Sequence, residues 1–223
     1  MELFVATFLN LEVILAASPI LLQGLLMTLQ LIAVAVPLGL VGGVVLALLS
    51  TARSRLVRWP LIVWVDLFRA LPPLVLLVFL YAGLPFAGID ISAFGAVAIG
   101  FLLNTSSYYG EILRAGIESV PRGQMEAARS TGLSKTRAML WVILPQAARN
   151  VLPDLVSNTL EVVKLTSIAS VVALPELLHQ ARQAQSVTYN PSPIVAAAAL
   201  YFILLWPVVR LLSRLEHRAV ARR

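Results

Sequence analysis

Asp154, Asn158, Glu161 and Leu165 stand four, three and four residues apart, so a helix through them carries all four on one face. Lys164 lies three residues beyond Glu161, within reach of its carboxylate. Asp66 and Arg69 repeat that spacing just before the pair Pro72-Pro73. A third set, Asn104, Ser107, Tyr108 and Glu111, offers an amide, two hydroxyls and a carboxylate at helical intervals. These groups point away from covalent chemistry. The chain has no cysteine, hence no thiolate, disulfide or thiol redox site. His179 and His217 have no second histidine nearby, and no catalytic residue or metal ligand is assigned. A phosphate-cradling Gly-x-x-x-x-Gly-Lys-Ser/Thr loop is absent, so the chain is not expected to hydrolyse a nucleotide. Hydrogen bonding and charge pairing remain, either to carry a polar solute or to knit helices together.

The elements that must position these groups are membrane spans. Of the 223 residues, 59% are hydrophobic and 13% charged, against about 25% charged in a soluble domain. That balance excludes a disordered chain and most soluble enzymes. The net charge of +6 does not make a nucleic-acid binder, because the apolar runs are too long. A bilayer core needs about 20 apolar residues per helix. The uncharged stretches predict an all-α polytopic membrane protein with five spans, near 20–50, 59–82, 92–114, 146–173 and 194–213. No internal repeat, low-complexity segment or soluble domain interrupts them, so residues 1–223 read as a single transmembrane domain. The N-terminus lacks the basic region of a cleavable signal.

Basic residues orient the spans. Arg53, Arg55 and Arg58 fall in the first loop. Arg114, Arg122, Arg129, Lys135, Arg137 and Arg149 surround the third. Arg210, Arg214, Arg218, Arg222 and Arg223 end the chain. These are fourteen of the 17 Lys and Arg, all on one side if the span count is odd. Only Arg182 falls opposite, and Arg69 and Lys164 lie within spans. The expectation is a multi-pass inner-membrane protein with its N-terminus outside and its C-terminus in the cytoplasm.

A charge at the centre of a span costs about 2.5–3.5 kcal/mol on insertion scales, so it needs a reason. For Glu161 and Lys164 two readings stand: an ion pair within the bundle, or a polar wall of a translocation path. Asp66 and Arg69 read as a self-compensating pair or as part of that path. Asn104, Tyr108 and Glu111 read as solute ligands or as interhelical hydrogen bonds. The paired prolines 72 and 73 break a helix mid-membrane, which is tolerated where the backbone lines a cavity. Beyond span four, residues 175–182 read as a short amphipathic helix at the membrane interface, a gate or a docking surface.

The segment 115–145 carries the most specific pattern. Pro121-Arg122-Gly123-Gln124 opens a helix, and Pro suits its first turn. Glu126-Ala127-Ala128 continues it, and Gly132 stops it by accepting a left-handed backbone. Ser134 caps a new helix from Lys135, and Leu144-Pro145-Gln146 marks a break before the next span. Glu126-Ala127-Ala128, then Gly132, then Val142-Ile143-Leu144-Pro145 resembles the EAA loop of ABC importer permeases, with Val142 where the family often has Ile. The flanks resemble the polar amino acid uptake branch. They are Gln23-Gly24 and Thr28-Leu29, Arg69-Ala70-Leu71-Pro72, Asn104 to Glu111, and Ser119 to Gln124. Thr188-Tyr189-Asn190-Pro191 resembles permeases for basic amino acids and related opine-like solutes. The resemblance covers about residues 20–218.

The resemblance implies the type I ABC importer permease fold and a non-catalytic subunit that forms half of a pore for an amino acid. Gly123, Glu126, Ala127, Ala128, Gly132 and Pro145 would couple it to a cytoplasmic ABC ATPase dimer. That dimer, not this chain, would hold ATP and Mg; no cofactor is expected on the permease itself. Further partners would be a second permease subunit, identical or paralogous, an external solute-binding protein and membrane lipid, with no nucleic acid. The substrate path would include Arg69, Asn104, Ser107, Tyr108, Asn158, Glu161, Lys164, Leu165 and Thr166. Leu165 stands where the family has an acidic residue in Lys-Asp-Thr-Ser; if that acid serves a ligand's cationic groups, Glu161, one turn away, would substitute for it. The competing classes are a secondary transporter or channel using Glu161, Lys164 and Asp66 as an ion relay, an ABC permease for another small solute, and a membrane scaffold. The relay leaves the loop at 126–145 unexplained, and the scaffold leaves the intramembrane charges unexplained.

Overall fold

A computed structural model describes residues 2–52 and 54–220, and the side chains of residues 3–52 and 54–210. Arg53, Arg222 and Arg223, used above for orientation, lie outside the described residues, as do the side chains of Arg214, His217 and Arg218. Among the described residues the structure is helical without strands: α1 (Glu2–Phe8), α2 (Leu11–Ser50), α3 (Arg55–Ala70), α4 (Pro73–Val78), α5 (Ala93–Ser119), α6 (Arg122–Ser130), α7 (Lys135–Ala138), α8 (Leu144–Asn150), α9 (Leu152–Leu165), α10 (Leu177–Thr188) and α11 (Ser192–Val220).

Three stretches are long and apolar enough to cross a membrane: Leu3–Ser50, Leu152–Val172 and Ser192–Arg210. A fourth counts if the broken pair Arg55–Ala70 and Pro73–Ala87 is one span. The span expected over 59–82 is broken into two helices at the place the paired prolines mark. The physical reason is Pro72-Pro73, which supplies no backbone N–H to carry the ladder across. The remaining expected span, the one near 92–114, is α5, whose 27 residues cover about 40 Å. Its polar run from Asn104 to Glu111 keeps it below the apolarity of the others. The helix of the first expected span, α2, starts at Leu11 rather than near residue 20, and its 40 residues run for about 60 Å.

Another correction concerns Pro145. A break was expected there, but the helix passes through it and ends at Asn150. A π-type turn over Met139–Ile143 lies immediately before, and Pro145 sits in the first turn of α8, where the missing N–H is no loss.

The chain divides into two compact units. In the first (residues 1–36, 72–101 and 160–211), Ala17 and Leu21 of α2 pack on Leu177, Ala181 and Ala184 of α10 and on Ala197 of α11. Small residues set the approach. A β-carbon on Gly24 would stand 2.9 Å from the Leu177 Cα and 3.0 Å from the Glu176 carbonyl oxygen. Glycine at 24 thus lets α2 and the start of α10 touch through backbone, and Thr28 one turn on accepts from the Leu177 amide at 3.1 Å. The second unit (37–71, 102–159 and 212–223) has two apolar clusters. Ala47, Leu113 and Val151 form one. Val120, Met139, Ile143 and Ala147, flanked by Met125 and Val142, form the other and hold the 121–145 segment.

Candidate functional site

The break after α3 creates a defined need. The carbonyls of Phe68 and Arg69 would normally accept from residues 72 and 73, and both are proline. α5 supplies the missing donors. Asn104 Nδ2 donates to the Phe68 carbonyl at 2.9 Å, and Tyr108 Oη donates to the Arg69 carbonyl at 3.2 Å. Asn104 and Tyr108 are four residues apart, one helical turn, matching two consecutive carbonyls across the interface. Asn104 is 2% exposed. The Arg69 guanidinium stands over the Tyr108 ring, 5.5 Å from its centroid. Ser107 is fully buried and donates to the Leu103 carbonyl within its own helix at 2.9 Å. Asn104 and Tyr108 bond between helices, while Ser107 and Glu111 bond within α5.

The expected Asp66–Arg69 pair does not form. Arg69 is drawn to Tyr108 instead, while Asp66 lines a small cavity of about 60 Å³ with Ser50, Glu111 and Arg114. There Arg114 grips Glu111 through two bonds, Nη2 to Oε1 at 2.6 Å and Nε to Oε2 at 2.8 Å, and also reaches Glu118.

α9 runs unbroken from Leu152 to Leu165, so Asp154, Asn158 and Glu161 do lie on consecutive turns. Asp154 is exposed, and Asn158 is half-buried with its amide nitrogen buried and unpartnered. Lys164 Nζ donates to Glu161 Oε1 at 2.6 Å. Both remain open, with 54% of the Lys164 side chain and 62% of the Glu161 side chain exposed. Leu165 is half-buried at the helix end. Thr166 starts a 3₁₀ segment over Thr166–Val172 and is fully buried, donating to the Val163 carbonyl at 2.7 Å.

The 121–145 segment forms as its residues require. Pro121 precedes the first turn of α6, which runs to Ser130. Glu126 and Ala127 are exposed, and Ala128 faces inward. Gly132 has φ of +89°, the region glycine enters without strain. Gly123, by contrast, has a helical backbone and open space around it. Ser134 caps α7 by accepting from the Arg137 amide at 3.3 Å. Pro145 is exposed at the start of α8.

Sequence reasoning missed one cluster. The helix expected at 175–182 is present as α10, and one face of it packs into the protein: Leu177, Gln180, Ala181 and Ala184 are buried. Glu176 is fully buried at its N-terminus and accepts from the amides of Leu178 (2.9 Å) and His179 (2.7 Å) and from the Tyr201 hydroxyl (2.8 Å). Burial pushes the Glu176 carboxyl above its ordinary value, and the Leu178 amide, the Tyr201 hydroxyl, the His179 amide and the nearby imidazole hold it back in part. The available signal was an acidic residue right after Leu174-Pro175, where a helix can start, with an aromatic hydroxyl 25 residues on.

Comparison with known proteins places this geometry. A profile of the family described as "Binding-protein-dependent transport system inner membrane component" matches residues 39–221. A probable amino-acid ABC transporter permease protein of Bacillus subtilis, YckA, is 39% identical over 173 residues, 78% of this chain and 76% of that one. The arginine transport system permease protein ArtQ of the same organism is 34% identical over 189 residues, 84% and 86% of the two chains. Among solved structures, an amino acid ABC transporter crystallised with histidines superposes with a TM-score of 0.82 at 38% identity, covering 92% of this chain and 96% of that chain.

Proposed function

The chain belongs to the family of binding-protein-dependent transport system inner membrane components, and from that premise we propose that it is the permease subunit of an ATP-driven amino acid importer. It forms half of the translocation pore and performs no bond chemistry. Two permeases, identical or paralogous, assemble with a cytoplasmic ATPase dimer that binds ATP and Mg. An external solute-binding protein delivers the ligand. The N-terminus lies outside and the C-terminus in the cytoplasm of the inner membrane.

The observation that carries this reading is the 121–145 segment. A nine-residue helix presents Glu126 and Ala127 to solvent and ends at a left-handed Gly132. It is buttressed from below by Met125 against the Val120, Met139, Ile143 and Ala147 cluster. A short rigid helix clamped on an apolar base transmits a push without bending. Closure of an ATPase against it would therefore reach the packed helices behind it. The residues read as the substrate path are Arg69, Asn104, Ser107, Tyr108, Asn158, Glu161, Lys164, Leu165 and Thr166.

The test separates assembly from transport. Glu126→Lys and Gly132→Val are expected to abolish energised uptake while the permease still inserts. ATPase co-purification should fall for Glu126→Lys, which reverses the presented charge. Gly132→Val forces a β-branched residue into φ of +89° and redirects the helix. Normal uptake by both variants removes the loop as the coupling element. Cysteines at Arg55 and Lys135 should resist impermeant thiol reagents in intact cells, while one at Gln183 is labelled; outside labelling at Lys135 overturns the orientation.

A further inference from the structure

The helical stretch from Lys135 to Asn150, α7 and α8 with the π-type turn between them, has two unlike faces. The inner face is apolar. Met139, Ile143 and Ala147 pack with Leu48 in the last turn of α2 and with Ile117 and Val120 at the end of α5. The approach is close: a β-carbon on Gly116 would stand 2.9 Å from the Ala147 carbonyl oxygen, and Asn150 Nδ2 donates to Ser119 Oγ at 2.8 Å. The stretch thus lies level with the end of α2, where an apolar span gives way to Arg55 and Arg58. Its own chain enters the next span at Leu152, just past Arg149. The outer face is basic and aromatic. Arg137, Trp141 and Arg149 recur at multiples of four residues, along one side of a helix, and Lys135 stands at its start. All four are exposed, Trp141 by 69%, as is Leu140 beside it. Lys135, Arg137 and Arg149 form no ion pair among the described residues.

From Ala127 to Pro153 the chain carries Arg129, Lys135, Arg137 and Arg149 and no acidic residue. Cations without internal partners call for an anion, and an outward indole and leucine at the edge of a span call for hydrocarbon. An acidic phospholipid offers both within one molecule, and the depth of the stretch, level with the end of one span and at the start of another, puts that lipid within reach. On the orientation proposed above, which sets this stretch at the cytoplasmic leaflet, we infer that Lys135, Arg137, Trp141 and Arg149 seat the headgroup of an anionic phospholipid. The ammonium and guanidinium groups bond its phosphate, and these charge-assisted bonds are about twice as strong as neutral ones. The Trp141 ring lies at the acyl boundary with its N–H toward the headgroup, as an amphipathic ring does at an interface. The cluster on which α6 rests is then held by the bilayer as well as by α2 and α5. Selection among lipids comes from charge, about fivefold for each basic residue close to the surface.

The experiment uses the complete transporter, permease with its ATPase, reconstituted in phosphatidylcholine vesicles. The chain has no cysteine of its own, so Leu140→Cys takes a single fluorophore before the ATPase is added and leaves Trp141 intact. Spin-labelled phosphatidylglycerol or spin-labelled phosphatidylcholine is then titrated in as quencher. Both are expected to quench, with phosphatidylglycerol favoured at least tenfold. Arg137→Gln with Arg149→Gln should bring that preference to threefold or less while phosphatidylcholine still quenches. Arg129→Gln, which removes an exposed charge of α6 outside the stripe, should leave the preference unchanged. Lipid retained by the unlabelled complex, counted by mass spectrometry, should follow the same order and does not depend on the labelled variant folding. Quenching by neither lipid overturns the inference, because the ATPase or water then covers the stripe. Equal quenching by the two lipids, a preference that survives the double variant, or an equal fall in Arg129→Gln also overturns it. None of these readings uses uptake or thiol labelling from outside, so failure of the permease reading or of the orientation is seen separately.

Discussion

Asn104 with Tyr108 and Glu161 with Lys164 look alike on paper: polar pairs at helical spacing inside apolar stretches. In the folded chain they are opposites. Asn104 is 2% exposed and its amide bonds the Phe68 carbonyl, with Tyr108 doing the same for Arg69. Glu161 and Lys164 bond only each other and stay more than half exposed. The first pair answers a backbone deficit that Pro72 and Pro73 create. The second answers nothing in the chain, because a surface ion pair gives roughly 0–1 kcal/mol. A polar group with an internal creditor is structure; one without it, kept in a span against an insertion cost, is available for something outside the chain.

That contrast breaks first on stability. Replacing Asn104 by Leu leaves the Phe68 carbonyl buried without a donor, a loss of about 1–3 kcal/mol. Adding Tyr108→Phe removes the second donor, with a smaller effect because that bond is longer and more exposed. The double variant is expected to show the largest fall in thermal midpoint and in yield of monodisperse protein. E161Q/K164M should change stability by no more than about 1 kcal/mol. Comparable losses from the two double variants would end the distinction between brace and open pair.

How far the sequence carried this is uneven, and the reasons are physical. The α6–Gly132–Ser134 segment was legible because capping and left-handed turns depend on local residue types, and α6, the φ of Gly132 and the Ser134 cap all form as read. The broken second span was legible in Pro72-Pro73 as a break, yet not in what heals it. The donors come from residue 104 and residue 108, and no local rule pairs them with carbonyls 36 and 39 residues earlier. Asp66 and Arg69 had the right spacing for an ion pair, but spacing is blind to an aromatic face on another helix, and Tyr108 took the guanidinium. Glu176 escaped notice because a carboxylate beside a proline reads as surface until α2 and α11 are seen to bury it. The identity of α10 as a core helix likewise depends on Gly24 and Ala197 lying against it.

Glu176 supplies a third case between brace and open pair: a charge with internal partners but deep burial. Its folded-state carboxyl titrates above the usual value, chiefly through burial. The neutral form is therefore the better tolerated one. The stability this shift contributes is fully present below the unfolded value of about 4.3 and is lost as pH rises through the folded value. In a His179→Gln background, which removes the neighbouring imidazole, the thermal midpoint should fall as pH rises above about 4.3. The further change Glu176→Gln should flatten that slope while keeping one acceptor for the Leu178 and His179 amides. A slope unchanged by Glu176→Gln would show that the N-terminal bonds fully offset burial, making Glu176 a brace like Asn104.

The smallest effect is expected at Arg69, which touches both categories. Its carbonyl is one of the two that α5 satisfies, and its guanidinium lies over the ring of the same tyrosine, 5.5 Å from the centroid. The side chain is exposed, so the cation–π contact contributes about 0.5–1 kcal/mol. Arg69→Gln keeps the backbone acceptor and removes only the charge. If the guanidinium steadies Tyr108 over the break, the variant loses about that much in stability, KM for uptake is unchanged, and Arg69→Lys recovers part of the loss. If the charge instead faces passing solute, stability barely moves, KM shifts, and the shift differs between arginine and glutamine as transported ligands. The contact with Tyr108 predicts the first pattern, with Arg69 on the wall of the path rather than in it. A KM change of threefold or more in Arg69→Gln with an unaltered thermal midpoint would show instead that the charge meets the transported solute.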